Sequence, residues 1–198
     1  MSNVYLGEVV ASALSSWVVQ AWQWEKFPEF GSIVRLTCGE YDMFGIVSDI
    51  KTGSDDKSRQ PFAYQKTELE LRRDQPQIFE FLKTNFTCLP VGYCRQGVWY
   101  YTLPSRPPRT HAFVAVAAPQ ELTLLCQGSG LLQALFSHAH RVESFEELLL
   151  AVLRQLREHG LLTQELLMQL MEYLALLWAS DYRRLKFFMD RIDTPFYK

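Results

Sequence analysis

The stretch YLGEVVASALSSWVVQAWQWEKFPEFGSIVRLTCGEYDMFGIVSDI, residues 5–50, decides the fold. It breaks into four apolar runs, at residues 5–12, 17–22, 32–37 and 43–50, rich in Val, Ile, Leu, Phe, Trp and Tyr. Each is bounded by Gly, Ser, Pro or acidic residues, the pattern of short β-strands joined by tight connections. Gly7 and Gly45 stand at equivalent places in the first and fourth runs. A glycine inside a strand marks a bend, a bulge or a close backbone approach, and small barrels turn their corners with such residues. Pro28-Glu29-Phe30-Gly31 reads as the connection between the second and third runs, and Gly39-Glu40-Tyr41-Asp42 as the hairpin between the third and fourth.

Beyond this nucleus the chain becomes polar. Residues 52–61 are expected to form an exposed loop, and Glu68, Glu70, Arg72, Arg73 and Asp74 continue the same character. Pro76 opens a short helix with Ile78, Phe79 and Leu82 along one side. Strand patterns return at residues 86–93 and 98–103, with Arg95-Gln96-Gly97 as the turn. Pro104-Ser105-Arg106-Pro107-Pro108-Arg109 must be extended and cannot lie in a central strand. Residues 111–116 are the last strand candidate. After Pro119 the period changes to that of helices. Ser144-Phe145-Glu146-Glu147 has the form of a capping box, Gly160 a helix stop and Thr163 a second cap. Leu and Met stripes behind these caps are the apolar faces of packed helices. The expected architecture is therefore α+β: a small six-stranded closed β-barrel over residues 1–118, with a polar loop and short helix inserted at about 51–85, and an α-helical domain over residues 119–198.

The quoted runs, Leu6-Gly7-Glu8-Val9-Val10, Trp17-Val18-Val19-Gln20, Phe30-Gly31-Ser32-Ile33-Val34 and Phe44-Gly45-Ile46-Val47, resemble the HAS-barrel family, named for HerA and the ATP synthases. The likeness continues through Thr52-Gly53-Ser54, Val91-Gly92-Tyr93, Leu103-Pro104-Ser105-Arg106-Pro107-Pro108 and His111-Ala112-Phe113-Val114. The resemblance implies a non-catalytic role, in which the barrel helps an oligomeric ATPase assemble or dock accessory proteins. The chain departs from those ATPase subunits in that no ATPase domain follows the barrel.

Composition narrows the function classes. The 198 residues are 48% hydrophobic and 21% charged, the balance of a folded globular chain. Formal net charge is −2; residues 1–118 hold 12 basic and 12 acidic side chains, and residues 119–198 hold 8 and 10. Neither part carries the cationic excess that dominates nucleic-acid affinity. The first residues lack a basic start followed by an apolar core, so no secretory signal is expected, and no apolar run is long enough to span a membrane. Cys38, Cys88, Cys94 and Cys126 form no C-x-x-C and fit reduced thiols in the cytoplasm.

No catalytic motif emerges, and no cofactor or metal site is expected. Gly53-Ser54-Asp55-Asp56-Lys57-Ser58 lacks the second glycine of a phosphate-binding loop and sets two carboxylates where phosphate would lie. Gly128-Ser129-Gly130 is not a nucleophile elbow, because Cys126 occupies the first glycine position. His138 and His140 form an H-x-H, read as solvated residues near a helix end. The partner-docking candidates are Trp99, Tyr100, Arg106 and Arg109. Alternation sets Trp99 and Tyr101 on one face and Tyr100 on the other; one face is expected to fill the barrel and the other to meet a partner. Aromatic residues and arginines are the usual hot-spot types, and the prolines stiffen the arm that carries them. The expected function is a non-catalytic binding or assembly module for a protein partner, an oligomeric ATPase or DNA-translocase-type complex, or for a second copy of itself. The alternative is a nucleic-acid-binding barrel beside a DNA-processing machine, which would gather Arg95, Arg106 and Arg109 into one basic stripe.

Overall fold

Alternation sorts the apolar runs onto two sides of one sheet, and both sides are buried along half of it. The computed structural model describes residues 4–54 and 62–196. The strands are β1 (Tyr5–Ser12), β2 (Trp17–Ala21), β3 (Ile33–Cys38), β4 (Tyr41–Gly53), β5 (Lys83–Arg95), β6 (Val98–Tyr100) and β7 (Phe113–Val116). Helices α1 (Glu68–Asp74) and α2 (Gln77–Glu80) lie between β4 and β5. Helices α3 (Pro119–Leu125), α4 (Gly130–Ser137), α5 (Phe145–Glu158), α6 (Gln164–Leu177) and α7 (Tyr182–Phe196) follow β7.

The sheet runs β2-β1-β7-β3-β4-β5-β6, and β2 also pairs with β5, which closes six antiparallel strands into a barrel. β5 pairs with β4 along its whole length, with β2 through Asn85–Cys88 and with β6 through Tyr93–Arg95. β6 is thus appended to the barrel and takes no part in its closure.

Val9, Val19, Val34, Leu36, Met43 and Phe86 fill the interior together with Trp17. On the other side of the same strands Ile33, Phe44, Ile46, Leu89 and Val91 belong to a second core with α3 to α7. Burial on both faces explains why β3 to β5 read as near-continuous apolar runs rather than strict alternation. Gly45 faces inward, and a Cβ there would stand 2.5 Å from the Trp17 ring. A Cβ on Gly7 would stand 2.2 Å from the Gln20 carbonyl oxygen. Each glycine also adjoins a register shift, between Tyr5 and Gly7 against β7 and between Phe44 and Gly45 against β5. Close approach and bulge therefore coincide, as the sequence pattern implied.

Polar contacts tie the helical layer to the barrel. Arg35 on β3 donates to Glu121 at 2.6 Å, and Glu121 also accepts from its own helix start, Ala118 N–H, at 2.7 Å. Tyr101 Oη donates to the Leu125 carbonyl at 3.0 Å, and its ring fills the space above Gly130. His138 is buried at the end of α4, with Nε2 2.8 Å from the Pro90 carbonyl in the β5 bulge.

Several local expectations change. Residues 68–74, read as polar coil, form α1, because Thr67 and Glu70 make a reciprocal capping box that the charged composition concealed. Ser144 makes no side-chain cap, so the capping-box reading of α5 is incorrect; Phe145 is instead buried against the barrel and helices. Thr163 does cap α6, accepting from Leu166 N–H at 3.2 Å. Thr52 and Gly53, placed in a loop, are the end of β4; residues 55–61 of that loop lie outside the described residues.

The composition shifts from barrel to helices at Ala117–Pro119. Ala117 is buried, its N–H bonds the Ile33 carbonyl at 2.9 Å, and one core crosses the boundary. Thermal unfolding is accordingly expected to be one cooperative transition, and two resolved calorimetric peaks would show independent layers. Gly45→Val should cost about 1–3 kcal/mol by overpacking against Trp17, whereas Gly53→Val, with open space around its Cβ position, should stay within ~0.5 kcal/mol. Equal denaturation midpoints for the two variants would contradict this placement of Trp17.

Candidate functional site

Tyr41, Tyr93 and Tyr100 share the inward phase of β4, β5 and β6, but they lie where these strands run past the closed barrel. Tyr41 meets Tyr93 edge-on at 5.4 Å, and Tyr93 stacks on Tyr100 at 4.9 Å with planes 12° apart. The ladder leads into a cleft of about 390 Å³ lined by Cys38, Gly39, Glu40, Tyr41, Arg95, Arg106, Pro107 and Arg109. Three arginines from two separate segments thus converge at one barrel mouth. Arg95 Nη2 donates to Glu40 Oε2 at 2.5 Å. Arg106 and Arg109 are exposed and make no ion pair with a described residue.

The arm that carries them is held at several points. Pro104 and Pro108 are buried, and Ser12 Oγ donates to the Pro108 carbonyl at 2.5 Å. The Arg109 carbonyl accepts from Ala112 N–H at 3.1 Å, and His111 N–H donates to the Val9 carbonyl at 2.8 Å. His111 adopts φ 66°, which turns the chain from the arm into β7. The guanidiniums therefore project from a backbone fixed before any ligand arrives, which lowers the ordering cost of binding.

Burial raises the Cys38 thiol, opposed by the Arg109 backbone N–H and by the charge of Arg109. Burial also raises the Tyr41 phenol, with the charge of Arg106 acting against it. Both groups stay protonated and neutral near pH 7 and add polar contacts without adding negative charge. Burial raises Cys88 strongly and pushes Cys126 up to about 11, so neither is an activated thiolate.

Of the four docking candidates, the structure brings Arg106 and Arg109 together at the mouth and sets Tyr100 at the end of the ladder. Trp99 faces the other way, half-buried with its ring 4.7 Å from Phe44 in the core under the helices. Neither of the two faces expected for this ladder fills the barrel interior: one supports the helical layer and the other forms the mouth. Sequence reading missed Cys38, Tyr41 and Tyr93. The signal for Tyr41 was its phase, two residues before the inward Met43, but the hairpin was placed over it.

The other candidate chemistry disperses. His138 is buried on Pro90 and His140 is exposed, so the H-x-H does not converge. Among the described residues no group of three or more His, Cys, Asp or Glu side chains could hold a metal ion. His111 Nδ1 lies 3.1 Å from Glu8 on the exposed barrel wall. A larger cleft, about 750 Å³ between β4 and the α4–α5 connection, is lined by charges of both signs, Asp49, Lys51, Arg141, Glu143 and Glu147, with Lys51 already paired to Asp49 at 2.9 Å. The smaller mouth cleft has the more one-sided chemistry. A scan against protein-family models finds no match, and a search of curated proteins finds none either.

His138 gives a pH prediction. Burial and the Arg141 charge hold its imidazole below the ordinary value of 6.5, outweighing the Pro90 hydrogen bond, and buried Nδ1 has no acceptor for a second proton. Below 6.5 the unfolded chain then binds more protons than the folded one, so stability contributed by this site falls as pH drops from 6.5 toward the lowered value. Urea midpoints at neutral and mildly acidic pH should fall more steeply for the native chain than for His138→Gln; parallel slopes would remove His138 as the cause.

Proposed function

We propose that this chain is a non-catalytic binding module that docks a protein partner at the barrel mouth. The observation that carries the reading is the pair of exposed guanidiniums of Arg106 and Arg109, which make no ion pair with a described residue and are presented by a pinned arm beside the Tyr41–Tyr93–Tyr100 ladder. Preorganised arginine and tyrosine side chains supply contact energy at low entropic cost. The resemblance to HAS barrels supports the same class of role and suggests an oligomeric ATPase or DNA-translocase-type complex as partner. No helix of the described residues is long and apolar enough to cross a membrane.

A nucleic-acid reading draws on the gathering of Arg95, Arg106 and Arg109 on one cleft. It is the weaker one, because Glu40 lines the same cleft, the charge of Asp42 reaches Cys38 within it, and the chain as a whole is at −2. Replacing Arg106 and Arg109 together by Ala should shift stability by no more than ~0.5 kcal/mol and weaken partner association by about 1–3 kcal/mol. Pulldown from native extract with quantitative mass spectrometry, alongside sedimentation velocity, checks this. Loss of affinity for any single strand, with a shallower salt slope, would favour nucleic acid instead. Unaltered association in both assays would move the interface away from the mouth.

A further inference from the structure

The rim of the mouth restricts what the partner can present. Around the cleft stand three guanidiniums and the Glu40 carboxylate, and the charge of Asp42 reaches the Cys38 thiol in its lining. One guanidinium, Arg95, is satisfied by Glu40, and Asp42 accepts from Thr37 Oγ1 at 2.6 Å. Two forks, Arg106 and Arg109, remain open within a small volume. Each matches a carboxylate in bidentate geometry. A nucleic-acid track needs a run of cationic contacts along successive phosphates, and here the run is interrupted by acids. On β6, where Val98 pairs with the cleft residue Arg95 and Tyr100 with Tyr93, the surface turns apolar: Val98 is 53% exposed and Tyr100 41%. Val98 and Tyr100 share one phase of β6, so this apolar strip borders the cleft rather than the helical layer.

We propose that the mouth cleft takes a short acidic peptide segment, with two neighbouring carboxylates on Arg106 and Arg109 and an adjacent aromatic or aliphatic side chain against Tyr100 and Val98. This rests on the reading that the mouth docks a protein partner, and it names the part of that partner that enters. The cleft, about 390 Å³, lies within the range of small-ligand pockets, about 300–1,000 Å³, and suits a few side chains rather than a folded surface. The neutral Tyr41 phenol and Cys38 thiol at its base can accompany carboxylates without repelling them.

The test uses the full chain with isotope-labelled arginine and tyrosine side chains, observed by NMR at about 0.15 M salt, where the Debye length is ~8 Å. Three probes are titrated separately: a glutamate–tyrosine copolymer, a single-stranded oligothymidylate and inorganic phosphate. The copolymer is expected to shift the Arg106 and Arg109 Nε–H and Tyr100 ring signals saturably. The Arg106→Ala, Arg109→Ala double variant should bind it weaker by on the order of tenfold or more. Variant folding is read from the unshifted signals of Arg35, paired to Glu121, and Tyr173, stacked on Phe136, in the same spectra. Stronger shifts with the oligothymidylate or with phosphate overturn the proposal, and so does an absence of shifts with the copolymer. If the copolymer fails while the double variant still loses its partner in pulldown, docking at the mouth stands and only the acidic segment is wrong. If the copolymer binds at the mouth but the pulldown is unchanged, the acidic site stands and the partner reading falls.

Discussion

The Trp17 indole occupies the space that a side chain on Gly45 would fill, and the closure of the barrel follows from pairing the largest residue with the smallest. Trp17 stands opposite Cys88 on the β2–β5 seam, the pairing that turns an open sheet into a barrel. Its ring is 1% exposed and reaches across the interior to β4. A six-stranded barrel encloses little volume, so one bulky ring can fill much of it only if a facing position gives up its Cβ. The indole Nε1 finds no nitrogen or oxygen acceptor among the described residues, and its polar neighbour is the Cys88 sulfur across the seam. Once the ring is seated, the β4 register is fixed, and with it the side of the sheet on which every neighbour lies.

From that register comes the division of the molecule. Inward residues complete the barrel, and outward Ile33, Phe44, Ile46, Leu89 and Val91 need a cover, which the five helices after β7 supply. The helices add a layer to a sheet that is apolar on both faces. They do not form a body of their own beside it. Arg35–Glu121, Tyr101–Leu125 and His138–Pro90 place that layer in one orientation. The bare wall of β1, β2 and β7 carries Tyr5, Trp22 and Phe113 in mutual ring contact, 5.2–6.4 Å apart.

Much of this was legible in the residues. The apolar runs at 5–12, 17–22, 32–37 and 43–50 each became a strand within a few residues of the expected ends, and the Leu and Met stripes after Pro119 became helices. What was not legible depended on the third dimension. Glu68–Asp74 looked like coil because its helix is stabilised by caps and ion pairs, Thr67 with Glu70 and Arg72 with Glu68 and Glu25, rather than by an apolar stripe. Arg106 and Arg109 could be chosen from composition, but Tyr41 and Tyr93 could not, because their role arises only when β4 and β5 overrun the barrel together. Trp99 drew attention as an aromatic on a short strand, and the helical layer over it could not be seen in a local window.

The appended position of β6 has a further consequence for how such a chain can change over time. Barrel closure uses β2 with β5 and β1 with β7, so the segment from β6 to His111 presents Arg106 and Arg109 but supplies no closing pair. Between the buried anchors Pro104 and Pro108 it exposes three residues, 105–107. Each doubling of a flexible loop adds only about 0.6 kcal/mol of closure entropy. New sequence could enter at 105–107 at that small cost while Trp17 and Gly45 keep the barrel shut. The architecture thus separates the part that must stay constant from the part that can diversify, and a lineage of such barrels could exchange partners by rewriting a few arm residues.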